Sequence, residues 1–392
     1  LHSIRQWHLQ EMLNMSGIIA DNTGRSSGLT KTASTGVPDS GSSDPTISTN
    51  PSAVGARFIN TTSGELFVCI DATAGSNKWR GQLDTEIDPP TAEQGGRGIW
   101  AGGADGSYNV IDYVAIGTTS NATDFGDLTS TRGSSASTSN GTRALWGGGF
   151  GYTPGNTVYS EIDYVTIATT ANAGDFGDIT DDRQQLCGCS DGTKGVFWGG
   201  ADADGRGKVN RIEYVNIAST GNVTDFGDMN SYRDEAGATS NGPRGVVGGG
   251  GTGADIAGHV VRTNEMEYIT IASTGNSSDF GDLATAGHMF NGACSDLTKG
   301  LWAGHHDGSY SDIIEYVNIA SLGNASDFGN LTQARQFLGS CSNGTRGVFG
   351  GGYHTSGHKN EIDYVIVASL GNATDFGDLT QARDHPSSTA GD

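Results

Sequence analysis

After residue 95 the chain repeats one pattern six times, most plainly in EIDYVIVASLGNATDFGDLTQAR, from Glu361 to Arg383. Its tyrosine falls at Tyr113, Tyr164, Tyr214, Tyr268, Tyr316 and Tyr364, at intervals of 48 to 54 residues. Its phenylalanine falls at Phe125, Phe176, Phe226, Phe280, Phe328 and Phe376, always 12 residues after the tyrosine. One stretch of each unit therefore has a fixed length while the rest varies. A catalytic constellation is needed once per site, whereas a building unit recurs, and periods of about 20 to 50 residues mark repeat architectures.

Residues 132–183 show what a unit contains. Arg132 precedes the small-residue stretch GSSASTSN, then come Asn140-Gly141, TRALWGGG, a variable loop, SEIDYVTIAT, a short turn and DFGDI. Asn-Gly or Asp-Gly recurs at Asp191-Gly192, Asn241-Gly242 and Asn343-Gly344, a hairpin signal because a two-residue turn needs positive φ at both central residues. Each unit thus reads as four short strands, a to d. In strand c, Ile362, Tyr364 and Ile366 occupy one face, yet Val365 and Val367 make the other face apolar too, as in sheets covered on both sides. Units of this kind bury their faces only by packing on one another, and radial packing leaves short, protected edges. The ends fit that geometry. The first unit, from Gly96, opens on strand b, and Arg383 to Asp392 supplies a strand a with no b behind it. The expected fold is all-β: a six-bladed propeller over 95–392, closed by the C-terminal strand.

The order of Arg, small-residue strand, Gly-x-hydrophobic strand, Gly-Gly, Tyr and a later aromatic resembles the kelch-type β-propeller repeat. It departs from kelch units in carrying Phe where they carry Trp, in a longer Tyr-to-aromatic distance, and in Gly287 and His288 near one arginine position. Upstream, MSGIIADNTGRSSGL from Met15 and GARFINTTSGELFVCIDATAGSNKWRGQ at 55–82 are similar to segments of bacteriophage virion and tail-fibre proteins. Read from residues alone, RFIN and ELFVCI form a hairpin too small to stand by itself. The organisation expected is an attachment segment at 1–52 of low complexity, a small hairpin module at 53–82, a linker at 83–94 and the propeller. Arg5, Gln6, His8, Gln10 and Glu11 interrupt any secretory apolar centre in residues 1–14, which read as upstream readthrough or a short amphipathic helix.

Composition narrows the partners. The chain has 44 acidic against 22 basic residues, a formal charge of −22, which repels nucleic-acid phosphates and anionic lipid. No run of 18 apolar residues offers a spanning helix. With 63 glycines and 8 prolines, many short strands and tight turns are favoured over a helical core. Neither nucleic acid nor membrane insertion is expected, and no cofactor.

Several motifs imitate chemistry. Asp375-Phe376-Gly377 matches the kinase metal-binding tripeptide, but six copies without a strand lysine or catalytic-loop aspartate read as an outer strand. The acids before each tyrosine, Asp112, Asp163, Glu213, Glu267, Glu315 and Asp363, are expected to accept hydrogen bonds from Arg132-type guanidinium groups or turn amides. Asn121, Asn222, Asn276, Asn324 and Asn372 sit in Asn-x-Ser/Thr at the c–d turn, where Asn tolerates left-handed φ and bonds its own backbone. Gly248 to Gly258 lacks the helix a dinucleotide loop needs. Cys189, Cys294 and Cys341 occupy one place in three repeats, where Thr138 and Thr239 stand in others. They read as small buried side chains, and Cys187 with Cys189 lacks a second pair for zinc.

Only the b–c segments after each Gly-Gly differ freely in length and chemistry, and alternating strand direction brings them to one face. Loops on a rigid scaffold carry binding residues, and the candidates here are Tyr108, Tyr152, Tyr159, His305, His306, Tyr310, Tyr353, His354 and His358. No catalytic residue and no metal site is expected, because His305, His306, His354 and His358 lack ligand spacing. The implied function is a non-enzymatic phage tail or tail-fibre protein that binds a host-surface receptor, a glycan or protein, with other virion proteins held through the N-terminal region. It would be made in the host cytoplasm and displayed on the virion, as a monomer or homo-oligomer. The competing readings are a polysaccharide lyase or hydrolase with its site in blade four, near His259 and His288, and a virion decoration protein.

Overall fold

The computed structural model describes residues 38–45, 49, 51–72, 77–82, 86–87, 93–104, 108–151, 156–202, 207–254, 260–285 and 292–391. The chain forms two compact units, Leu1–Pro89 and Pro90–Asp392, and no helix occurs among the described residues. Residues 1–37, which hold most of the expected attachment segment, lie outside them, as do Tyr152, His259, Gly287 and His288.

The first unit is one five-stranded sheet, Asp39–Gly41, Arg57–Asn60, Leu66–Asp71, Lys78–Gly81 and Glu86–Ile87, in that spatial order. Its central hairpin is the pair read from the sequence, with Phe58 opposite Phe67. The sheet is wider than that pair: Asp39–Gly41 joins in parallel, and Glu86–Ile87 extends the far edge. Phe58, Phe67, Cys69 and Trp79 pack as its core. An edge strand of sequence DSG has no apolar alternation to announce it, so only the partner strand's free edge defines it.

The second unit contains six four-stranded antiparallel sheets. Sheet two runs Ala136–Ser139, Arg143–Gly147, Glu161–Thr166 and Gly174–Asp178 as strands a, b, c and d, and sheets three to six repeat the order from Cys187–Ser190, Gly237–Ser240, Ala293–Ser295 and Gly339–Ser342. In sheet one the a position is filled from the far end of the chain: Ser387–Gly391 pairs antiparallel with Arg97–Ala101, Ser388 opposite Trp100. The a strands neighbour one another from sheet to sheet. This is a β-propeller-type architecture.

The repeated residues explain how sheets adhere. The glycine of each DFG has φ between 139° and 149°, and a Cβ on Gly126 would lie 2.4 Å from the Ala171 carbonyl oxygen in the next sheet. The tripeptide is where one sheet's c–d turn rests on its neighbour, so side-chain absence is what the position requires. The Asn of that turn does not bond its own backbone, as expected from the sequence, and takes no positive φ. Its Oδ1 instead accepts from the neighbouring sheet: Asp178 N–H donates to Asn222 at 3.1 Å, Asp228 to Asn276 at 3.1 Å, and Asp378 to Asn121 at 3.1 Å. At the a–b turns only the glycine takes positive φ, Gly141 at 82°. The preceding Asn140 Oδ1 accepts from the N–H groups of Thr142 and Arg143 at 3.1 and 2.7 Å, so the side chain supplies what a second left-handed residue was expected to supply.

Cations at the start of strand b form another link. Arg143 lies 4.6 Å from the Tyr164 ring centroid and donates to the Ile217 carbonyl of the next sheet at 3.0 Å. Arg346 does the same with Tyr364 at 4.6 Å and Ile116 at 3.0 Å. Each tyrosine meets its Phe edge to face, as Tyr164 and Phe176 do at 6.0 Å. Cys189, Cys294 and Cys341 pack against strand-b glycines of the following sheet, where a Cβ on Gly245, Gly347 or Gly98 would be 2.8, 3.0 or 2.6 Å from the sulfur. All five cysteines are free and buried, and burial pushes the Cys187 thiol up to about 12, so they are unreactive at neutral pH.

The carboxylates before the tyrosines are structural, as the sequence suggested. Asp163 meets Arg132 at 3.2 Å, Glu267 meets Arg233 at 2.9 Å, Asp363 meets Arg335 at 3.1 Å and Asp112 meets Arg383 at 3.0 Å, all eight side chains buried. Glu213 pairs with Arg183 likewise. Threonines complete the acceptors, with Thr380 N–H and Oγ1 donating to Asp112. Where the sequence has Gly287 at the arginine position, Glu315 accepts from Ala284 N–H and from Thr285 N–H and Oγ1, and burial raises its pKa.

Candidate functional site

The b–c loops leave the sheets through a fixed gate. Gly102 and Gly103 in sheet one, and their equivalents in the others, follow strand b directly. A Cβ on Gly102 would lie 2.0 Å from the Arg132 carbonyl oxygen, to which Gly103 N–H donates at 3.0 Å. Beyond this point each loop is free to differ.

In sheet five the loop is a continuation of the strands themselves, Lys299–His306 and Tyr310–Asn318. In sheet six it is a separate two-residue ladder, Tyr353–His354 with Gly357–His358. These adjacent loops bring five of the expected residues together. His306 meets Tyr310 at 4.8 Å, Tyr310 meets His354 at 5.1 Å and Tyr353 at 6.1 Å, and Tyr353 meets His358 at 5.1 Å. All five rings are partly exposed. The row carries on inward, since His358 Nδ1 lies 3.2 Å from Asp384, whose other oxygen is 3.3 Å from His385 Nδ1. His385 stacks on Phe337 at 3.8 Å.

The remaining expected residues lie elsewhere. His305 is 2% exposed, and burial lowers its pKa to about 4, so it belongs to the interior as a neutral imidazole. Tyr159 lies under Arg132 at 5.6 Å, and the Tyr108 carbonyl accepts from Arg132 N–H at 3.1 Å. Both line the framework arginines and stand apart from the row. Among the described residues no group of three or more His, Cys, Asp or Glu is placed to hold a metal ion.

A second feature carries no motif that sequence reading singled out. Two residues after the connecting arginine, Ser134, Gln185, Glu235, Phe337 and His385 all have φ between 52° and 60°. Their N–H groups run from sheet to sheet: Ser134 donates to His385 at 3.1 Å, Gln185 to Ser134 at 2.7 Å, Glu235 to Gln185 at 3.0 Å and His385 to Phe337 at 2.9 Å. Left-handed conformations for such side chains are held only where surroundings over-determine them. Glu235 is pushed up to about 8 by burial first and by Asp234 second, with Lys208 and Arg262 opposing. The available signal was variation at one register position between a constant arginine and constant small residues. Beneath this collar a cavity of about 50 Å3 lies among the a strands, lined by Ser340, Ser388, Thr389 and Glu93. It has room for water and not for a sugar.

No protein-family model matches the chain, and no curated protein matches it in sequence. Among solved structures it is similar to that of YjhT, at 13% identity and a TM-score of 0.56, over 73% of this chain and 97% of that one. The likeness is one of fold, that of a β-propeller-type protein.

Proposed function

We propose that this chain is a non-enzymatic bacteriophage tail or tail-fibre protein that holds a host-surface glycan on the loop face of a six-bladed, kelch-like propeller. In this reading the six sheets are blades of one ring, fastened by Ser387–Gly391 against Arg97–Ala101. The N-terminal region attaches the chain to other virion proteins, and the ring is presented to the medium. The observation that carries the glycan reading is the row His306, Tyr310, His354, Tyr353 and His358. Tyrosine and imidazole rings cover the C–H faces of sugars while their O–H and N–H groups bond the hydroxyls, with few rotamers to freeze.

A glycan array probed with the full chain tests it, alongside Tyr310→Ala with His354→Ala. The expected result is retention of defined glycans by the wild type and loss of at least tenfold in the double variant, with an unchanged unfolding midpoint. Equal retention by both proteins would remove the row from the proposal. One observation favours an enzymatic second reading: Glu235, protonated at neutral pH beside Asp234, resembles an acid/base pair. Reducing ends released from host polysaccharide by purified protein, and abolished in Glu235→Gln, would establish it in place of the first.

A further inference from the structure

Arg262 differs from its fellow cations. The connecting arginines pair with buried carboxylates, the strand-b cations lie on tyrosine rings, and Lys208, Arg211 and Lys359 face Asp234, Asp181 and Glu361. Among the described residues Arg262 has no ion pair, and its Nε is buried without a hydrogen-bond partner. In a chain of charge −22 a guanidinium left without a carboxylate is not for want of acids.

Its position is fixed by backbone. Arg262 stands opposite Gly251 in the b–c ladder of sheet four, and Gly251 exchanges hydrogen bonds with Asp234 at 2.9 and 3.1 Å. Thr263 N–H donates to Gly250 at 3.0 Å. The ladder therefore sits against the collar beside Glu235. The next sheet's loop carries His306, which stacks on Tyr310 at 4.8 Å. Burial and then Arg262 hold His306 below the ordinary imidazole range, with Asp307 opposing, so the guanidinium acts across the gap between the two loops.

We infer that Arg262 anchors an anionic substituent, a carboxylate or a sulfate ester, on a sugar whose ring lies against Tyr310 and His306. This rests on the glycan reading above and adds the class of sugar. A guanidinium presents paired donors in a plane, matched to a carboxylate or sulfate edge. The overall negative charge opposes approach of a long polyanion, so the ligand is a single charged sugar at a chain end or branch rather than a uniformly charged polymer. By linkage, an anion at Arg262 cancels its effect on His306 and raises that imidazole's pKa on binding.

The test is titration of the full chain, by calorimetry and by the His306 ring proton signals, with four probes: methyl glucuronide, its methyl ester, galactose 6-sulfate and galactose. The expected result is that at least one charged probe binds tenfold or more tighter than its uncharged counterpart. Arg262→Gln should erase that difference and Arg262→Lys should retain part of it, and only the charged probe should move the His306 titration upward. Which charged probe does so separates carboxylate from sulfate. Unfolding midpoints of both variants, expected to equal that of the wild type for a residue on a peripheral ladder, guard against misfolding. Equal binding of charged and uncharged probes, with loss of both in Tyr310→Ala, overturns the anion anchor and leaves the glycan site standing. No binding of any probe, together with an empty glycan array, overturns both.

Discussion

The two faces of the repeat body are built on opposite terms. At the turn face, one contact is made over and over with the same atoms: Asn Oδ1 on a backbone N–H, a DFG glycine under a carbonyl, a strand-b cation over a tyrosine. At the loop face, no two b–c segments are alike, and the contacts that matter are made between dissimilar side chains, as between Tyr310 and His354. The lesson is that stability here is carried by repetition and recognition by its absence. The sheets adhere through backbone groups and buried pairs that tolerate no change, and the loops hang from them without sharing that burden.

This contrast can be broken at measurable places. The largest effect is expected from Asp112→Ala, which leaves Arg383 buried and without its carboxylate. Breaking such a pair from one side destabilises by roughly 3 to 5 kcal/mol, seen as a fall in the denaturation midpoint, whereas Tyr310→Ala on the loop face should change it by less than about 0.5 kcal/mol. Equal losses from the two would erase the distinction between faces.

A smaller effect concerns Glu235, which belongs to the collar and so lies between the two regimes. Its folded pKa of about 8 is above its ordinary value, so the folded state holds the proton more tightly. The stability it contributes is full below the ordinary carboxylate range and is lost as pH rises through about 8. Glu235→Gln should flatten that decline and leave the variant more stable than the wild type at pH 9. The smallest effect is at Leu297, which takes φ of 68° at the place where other a–b turns have glycine. Leu297→Gly should raise stability by about 1 kcal/mol, by relieving a conformation costly to a branched side chain. No gain in the unfolding midpoint would mean that this turn is held by contacts the others lack.

What could be read from the chain beforehand follows the same division. Six tyrosines with a phenylalanine always 12 residues on fix strands, order and repetition, because identical local geometry leaves an identical trace. The strand-a role of Ser387–Gly391 was legible for the same reason. The partner of Asn222 was not, since sequence shows that a turn needs Asn without showing whose amide it receives. The five loop rings could be named as candidates, yet that Tyr310 rather than Tyr159 joins them depends on which loops lie on adjacent sheets and how far each ladder extends. Arg262 gave no sign, for an unmatched charge is visible only once every other charge has found its match.

The paired glycines that end strand b have a consequence for how such a chain changes over generations. They sit between two nearly constant words, Arg-Gly-hydrophobic before and Glu-Ile-Asp-Tyr after, with the Arg132-type carbonyl clasping each junction. Coding segments bounded by such similar text are natural crossover points, so whole loops can be traded among the six positions, or between kindred genes, without disturbing the frame that receives them.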